Sequence, residues 1–127
     1  MTLKECYAAF GGDLEALLLR LPSERLAGRL LRKFPEDRSF RDLCDALPKG
    51  DLETAFRCAH SLKGLCLNLE IPGLLHSSSA LTEALRPGAE YRPQLAERLL
   101  EQVRQDYALV CRWLAFLWYS LNPLFCE

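Results

Sequence analysis

The chain has 127 residues, half of them hydrophobic and 26% charged, with a formal net charge of -1 at pH 7. That length supports one self-sufficient core without metal or disulfide staples, and the balanced, interspersed charge gives no electrostatic basis for nucleic acid or an acidic membrane as the main partner. The cysteines, Cys6, Cys44, Cys58, Cys66, Cys111 and Cys126, are scattered with no C-x-x-C pair, so they read as reduced, mostly buried small hydrophobes of a cytoplasmic protein rather than a disulfide framework.

The opening "MTLKECYAAFGGD" lacks a basic segment followed by an apolar one, so no signal peptide is expected. Leu3, Cys6, Tyr7 and Phe10 mark a short first helix, closed by Gly11-Gly12. Asp13 then predicts an N-cap for "LEALLLRL", and Ser23 one for "ERLAGRLLRKF", with Leu26, Leu30, Leu31 and Phe34 on a shared face and Pro35 as its stop. "SFRDLCDAL" places Phe40, Leu43, Cys44 and Leu47 on one stripe, and "PKGD" turns the chain.

Asp51 predicts the cap of a longer helix whose stripe runs Leu52, Ala55, Phe56, Ala59, Leu62, Cys66, Leu69. "IPG" breaks it, and Pro72 suits the first turn of a helix running to about Arg86 through Leu74, Leu81 and Leu85. "PGAEY" is a loop, after which the longest helix is expected from near Pro93 to about Leu121. No segment alternates with the strand period. The predicted fold is therefore all-α, an antiparallel helical bundle with short connections, in a single domain over residues 1–127.

One stretch stands out, "AHSLKGLCLNL" at Ala59 to Leu69. Residues three and four apart are helical neighbours, so His60, Lys63 and Gly64 form one patch, with Leu67 a further turn along. At roughly 100° per residue, His60 falls just outside the arc centred on Ala59 and Cys66, so its ring is expected at the surface with Gly64 beside it on the outer side. Glycine in mid-helix costs on the order of 1 kcal/mol relative to alanine, which suits a place where something approaches the backbone. The plainer reading is a surface histidine, a surface lysine and an incidental glycine.

These residues resemble the signature of histidine phosphotransfer (HPt) domains, A-H-x-L-K-G followed by N-L-G. Ala59, His60, Leu62, Lys63, Gly64, Asn68 and Leu69 match it, and the order of helices agrees over roughly residues 13–110. The resemblance implies a four-helix core with an extra short N-terminal helix, and beyond the span it covers the chain continues as an apolar helical extension expected over about residues 111–127. It also implies that His60 is the phospho-acceptor, taking a phosphoryl group from a receiver-domain aspartyl-phosphate and passing it to another receiver. Lys63 would offset charge on the phosphoryl oxygens, and Gly64 would admit the receiver.

The partners so implied are receiver domains of response regulators or hybrid sensor kinases. No cofactor is expected in this chain, the Mg²⁺ being the receiver's, and with no Gly-rich phosphate loop or ATP site the chain reads as a phosphocarrier rather than an enzyme. The sequence departs from the family at Glu70, where glycine is common and an altered turn is expected. It departs again at Thr82, which with Glu83 beside it occupies the place of the usual histidine-orienting Gln or Glu. Arg86 matches a basic position of some members and is expected at the active surface, with Leu67 as a docking candidate. The alternatives are a receiver-binding adaptor that does not relay, or a helical oligomerisation module.

Other candidates are weaker. Cys58 and His60 point about 200° apart on a helix and cannot share a metal ion. His76 in "LLHSSSALTE" and the basic run Arg29 to Lys33 read as solvated. "VCRWLAFLWYSLNPLF" carries Arg112, meets Asn122-Pro123 and is shorter than the about 20 apolar residues of a membrane span. Trp113, Leu114, Phe116, Leu117, Trp118 and Leu121 nevertheless cover nearly the whole circumference of a helix. That run either folds back on the first helix or forms a homo-oligomeric or partner interface through Trp113–Leu121.

Overall fold

Helices begin where polar side chains take up free backbone N–H groups. Thr2 accepts from the Glu5 amide at 3.1 Å to open α1 (Leu3–Ala9), and Asp13 accepts from Ala16 at 3.0 Å to open α2 (Leu14–Arg20). Ser23 accepts from Leu26 at 3.2 Å to open α3 (Glu24–Arg32), which passes through a 3-10 turn at Phe34–Glu36. α4 (Ser39–Ala46) follows, and Asp51 accepts from Thr54 at 3.2 Å to open α5 (Leu52–Leu69). Pro72 stands in the first turn of α6 (Pro72–Leu85), and α7 (Pro93–Leu121) is the longest element. The computed structural model describes residues 1–121; the readings at residues 122–127, including Cys126 and Asn122-Pro123, and at the Leu121 side chain fall outside the described residues. Among the described residues there is no strand.

The bundle is built in chain order. α5 packs between α4 and α6, and α6 packs on α7. Short connections turn each of these helices back along its predecessor. Their stripes meet in one core, with Ala55, Ala59, Leu62 and Cys66 of α5 buried against Leu43 of α4 and Leu74 and Leu81 of α6. Tyr107 of α7 stacks on Phe40 at 3.8 Å and on Phe34 at 5.4 Å, tying α4 and the 3-10 turn after α3 to the long helix. Burial pushes the Cys66 thiol up to about 12 and Cys6 to about 11, so both stay protonated at neutral pH. The described cysteines are free; Cys6 and Cys66 are buried, and Cys44, Cys58 and Cys111 are half-buried.

The stripe expected on α3 is corrected. Ala27, Leu31 and Phe34 are buried, whereas Leu26 is half-buried and Leu30 is exposed. α3 meets α7 through the side centred on Ala27 and Leu31, and a stripe counted from leucines alone passes over the alanine.

The apolar run on α7 divides in two. Leu114 and Leu117 are buried, and the Cys6 thiol donates to the Trp113 carbonyl at 3.4 Å, so one face does fold back on α1. Phe116 and Tyr119 remain exposed on the other side. No helix among the described residues is long and apolar enough to cross a membrane.

The N-terminal helices also close the C-terminal end of α5, which no sequence pattern announces. A helix leaves its last four carbonyls without intrahelical partners. Here Arg20 donates to the Leu67 carbonyl at 3.3 Å and to Asn68 at 2.7 Å, the Tyr7 hydroxyl donates to Leu69 at 2.7 Å, and the Asp13 amide donates to Glu70 at 3.0 Å. Glu70 takes the left-handed conformation at φ 57°, the region glycine favours. That costs a side-chain-bearing residue about 1–2 kcal/mol. Its carboxylate pairs with Arg20 at 2.8 Å. The departure at Glu70 therefore changes what ties down the helix end.

Tyr7 is buried, and its hydroxyl is the partner of the Leu69 carbonyl. Tyr7→Phe keeps the ring and orphans that carbonyl, so it should lower unfolding stability by about 1–3 kcal/mol. Urea denaturation with an unchanged m-value checks this. A midpoint equal to wild type would show that water replaces the hydroxyl without loss.

Candidate functional site

The middle of α5 carries the site because its core side is used up by Ala55, Ala59, Leu62 and Cys66. What remains faces outward. His60 is exposed, Lys63 and Gly64 are half-exposed, and Leu67 is exposed at 54%. One surface thus holds an accessible imidazole, a cation one turn away and a bare stretch of backbone. A Cβ built on Gly64 would meet nothing within 4 Å. The glycine is therefore not required by packing against a neighbouring helix, and the space above it is open to a visiting molecule.

The His60 ring is not left to itself. Phe56, one turn earlier, lies nearly parallel to it at 16°, with ring centroids 6.0 Å apart. Phe56 is half-buried at the margin of the α5 stripe, so it belongs to the core on one edge and to the site on the other. The Arg86 guanidinium sits over the Phe56 ring, 5.4 Å from its centroid, within the range of a cation–π contact. Arg86 also grips Glu83 with two hydrogen bonds, Nε to Oε2 at 2.9 Å and Nη2 to Oε1 at 2.7 Å. That grip holds the Glu83 carboxyl below its ordinary range, and the charges of Lys63 and His60 act on it in the same direction. α6 thereby brings a carboxylate and a guanidinium to the rim of the histidine surface.

Thr82 does not join them. It is fully buried, and its hydroxyl donates to the Ser78 carbonyl at 2.7 Å. The expectation that it stands in for an orienting Gln or Glu is therefore corrected: α6 turns Thr82 into the core and Glu83, the next residue, out to the surface. Arg86 is exposed and reaches the same side of the bundle as His60, over the Phe56 ring. The sequence spacing places Phe56 in the core stripe, and its position four residues before His60 is the signal that also brings it to the site. His76 is exposed, and among the described residues no group of three or more His, Cys, Asp and Glu side chains could hold a metal ion.

A stacked pair of this kind is worth about 0.5–1.5 kcal/mol, which is about two- to tenfold in rate where that energy holds the ring in the orientation from which it reacts. Phe56→Leu retains apolar volume and removes the ring face. Any phosphoryl transfer to His60 should fall by that factor, with the thermal midpoint nearly held. A rate equal to wild type would make Phe56 a packing residue only.

Chemically, the surface offers a nucleophilic ring nitrogen, cationic groups that can face an anion, and room for a second protein. The family model described as Hpt domain matches residues 26–113, which include α4, α5 and α6 entirely and most of α7. No curated protein and no solved structure matches the chain.

Proposed function

The chain belongs to the Hpt domain family, whose members carry phosphoryl groups in two-component phosphorelays, and from that premise we propose that His60 is the carrier residue of a relay between receiver domains. A ring nitrogen of neutral His60 attacks the phosphorus of a receiver aspartyl-phosphate. A P–N bond forms, the acyl-phosphate P–O bond breaks, and its electron pair returns to the aspartate as a carboxylate. The imidazole sheds a proton as the phosphoramidate forms. Attack by the carboxylate of a second receiver reverses the sequence and frees the ring. Mg²⁺ held by the receiver would neutralise the phosphoryl oxygens during each transfer.

The observation that carries this reading is the exposed His60 ring beside Lys63 and the unobstructed Gly64 backbone, on a helix whose other side is core. Lys63 lies one turn from the acceptor nitrogen and supplies charge where the transferring group is anionic. Arg86, now bound to Glu83, is close enough to the Phe56–His60 pair to offer a second cation.

The test is incubation with a panel of receivers carrying labelled phosphate. Label should move to this chain and then to a second receiver. Lys63→Ala should slow that movement by about tenfold or more, each 1.4 kcal/mol of lost stabilisation being a factor of ten, while stability is nearly unchanged because a solvent-accessible lysine charge without an ion-pair partner among the described residues contributes little to it. Transfer within twofold of wild type would make Lys63 a spectator.

A second reading is favoured by the commitment of Thr82 to the Ser78 carbonyl, which leaves the ring without an orienting partner from that position. In that case the chain binds receivers as an adaptor and is rarely phosphorylated. Receiver binding without label transfer across the whole panel would decide for it.

A further inference from the structure

A groove lies away from the histidine surface, between α1, α3 and the last third of α7, and none of its lining belongs to α5 or α6. Its floor is apolar, formed by Leu3, Leu31, Leu114 and Leu117, and Gly28 lines it where an added Cβ would meet nothing within 4 Å. One wall is cationic. Arg25, Arg29 and Arg32 follow one another along α3 at i, i+4 and i+7, which puts them in a single row. Arg32 rests on the Trp118 ring at 4.2 Å. Arg25 and Arg29 pair with no carboxylate among the described residues, and Glu24 and Glu36 flank the row only at its ends. Guanidinium groups held in a row beside apolar surface are suited to carboxylates at matching spacing.

We propose that this groove docks an amphipathic helix of a partner protein whose apolar face meets the leucine floor and whose flank carries acidic side chains at i, i+4 and i+7. The arginine row is about 10 Å long at 1.5 Å per residue, so about two turns of the partner helix would engage it. Such docking leaves His60 open and gives the chain a second binding face, by which it can be tethered while its histidine surface exchanges receivers. The inference does not depend on the phosphorelay reading, because its readout is binding and not transfer.

The probe is a fluorescein-labelled helical peptide with leucines on one face and glutamates at i, i+4 and i+7 along the flank, compared by anisotropy with the same peptide carrying lysines. The full chain should bind the glutamate peptide, more weakly as salt rises, and reject the lysine peptide. Arg25→Glu with Arg29→Glu should weaken binding by about tenfold or more. Gly28→Trp should block the groove while the melting curve reports a folded chain.

Absence of binding to the glutamate peptide, equal binding of both peptides, or indifference to the arginine and Gly28 changes overturns the proposal. Two further outcomes also overturn it by assigning the groove elsewhere: a wild-type dimer in sedimentation that Gly28→Trp dissociates, which gives it to a second copy, or glutamate-peptide binding that appears only after removal of residues 122–127, which gives it to the chain's own end.

Discussion

A chain with His60→Gln should take up no phosphate from any phosphorylated receiver, while its melting curve overlays that of wild type. The ring is exposed and lies beside the Phe56 face, so glutamine removes the nucleophile without opening a cavity. Wild type should carry label that is lost in acid and retained in base, the behaviour of a phosphoramidate. The other histidine, His76, is also exposed but sits on α6 among Leu75 and Ser77 with no cation in its own turn. His76→Gln should therefore leave labelling intact. Undiminished labelling of the His60 variant would move the acceptor elsewhere and remove the basis of the proposed relay.

The next largest effect is expected at Gly64. Glycine in a helix interior is worth about 0.8–1.0 kcal/mol less than alanine, and glutamine is close to alanine on the same scale. Because the position above Gly64 is empty, the added side chain meets no neighbour and the propensity gain should appear as a melting temperature held or raised. The same side chain stands one turn from His60, where a receiver must come close for its aspartyl-phosphate to align with the ring nitrogen. Transfer should fall by about tenfold or more, since a displacement on the order of 1 Å at a reacting centre can cost a hundredfold. The opposite pattern, lower stability with normal transfer per folded molecule, would mean that Gly64 serves the bundle and not the visitor.

Much of the fold is legible in the chain because its determinants are local. Asp13, Ser23 and Asp51 cap helices where their spacing predicts, since a cap involves only residues two or three positions away. The α5 stripe is buried as the period of three and four requires, apart from Leu52 and Phe56 at its margin, and α7 begins at Pro93 as expected and is helical through Leu121, the last described residue. His60, Lys63, Gly64 and Leu67 share one outward surface for the same reason, as they lie on a single helix.

Positions that depend on how helices meet were not legible. Thr82 and Glu83 are adjacent, and a rotation of α6 by one residue exchanges which is buried. The stripe through Leu74, Leu81 and Leu85 leaves Thr82 at its edge, and the packing of α6 on both α5 and α7 carries that edge into the core, with Glu83 turned out to Arg86. The same holds for α3, where contact with α7 selects Ala27 over Leu30.

By itself, then, the sequence determined the helices, their caps, the family signature and the histidine patch, because each follows from interactions within about one turn of a helix. The tertiary structure decided which outward residues from different helices meet: the stack of Arg86, Phe56 and His60, the closure of α5 by Tyr7, Asp13 and Arg20, and the division of α7 between a buried and an exposed apolar face. Tyr7 and Leu69 are 62 residues apart. No period or cap rule reaches across such a separation; the contact exists because burying the stripes of several helices at once admits only certain rotations of each.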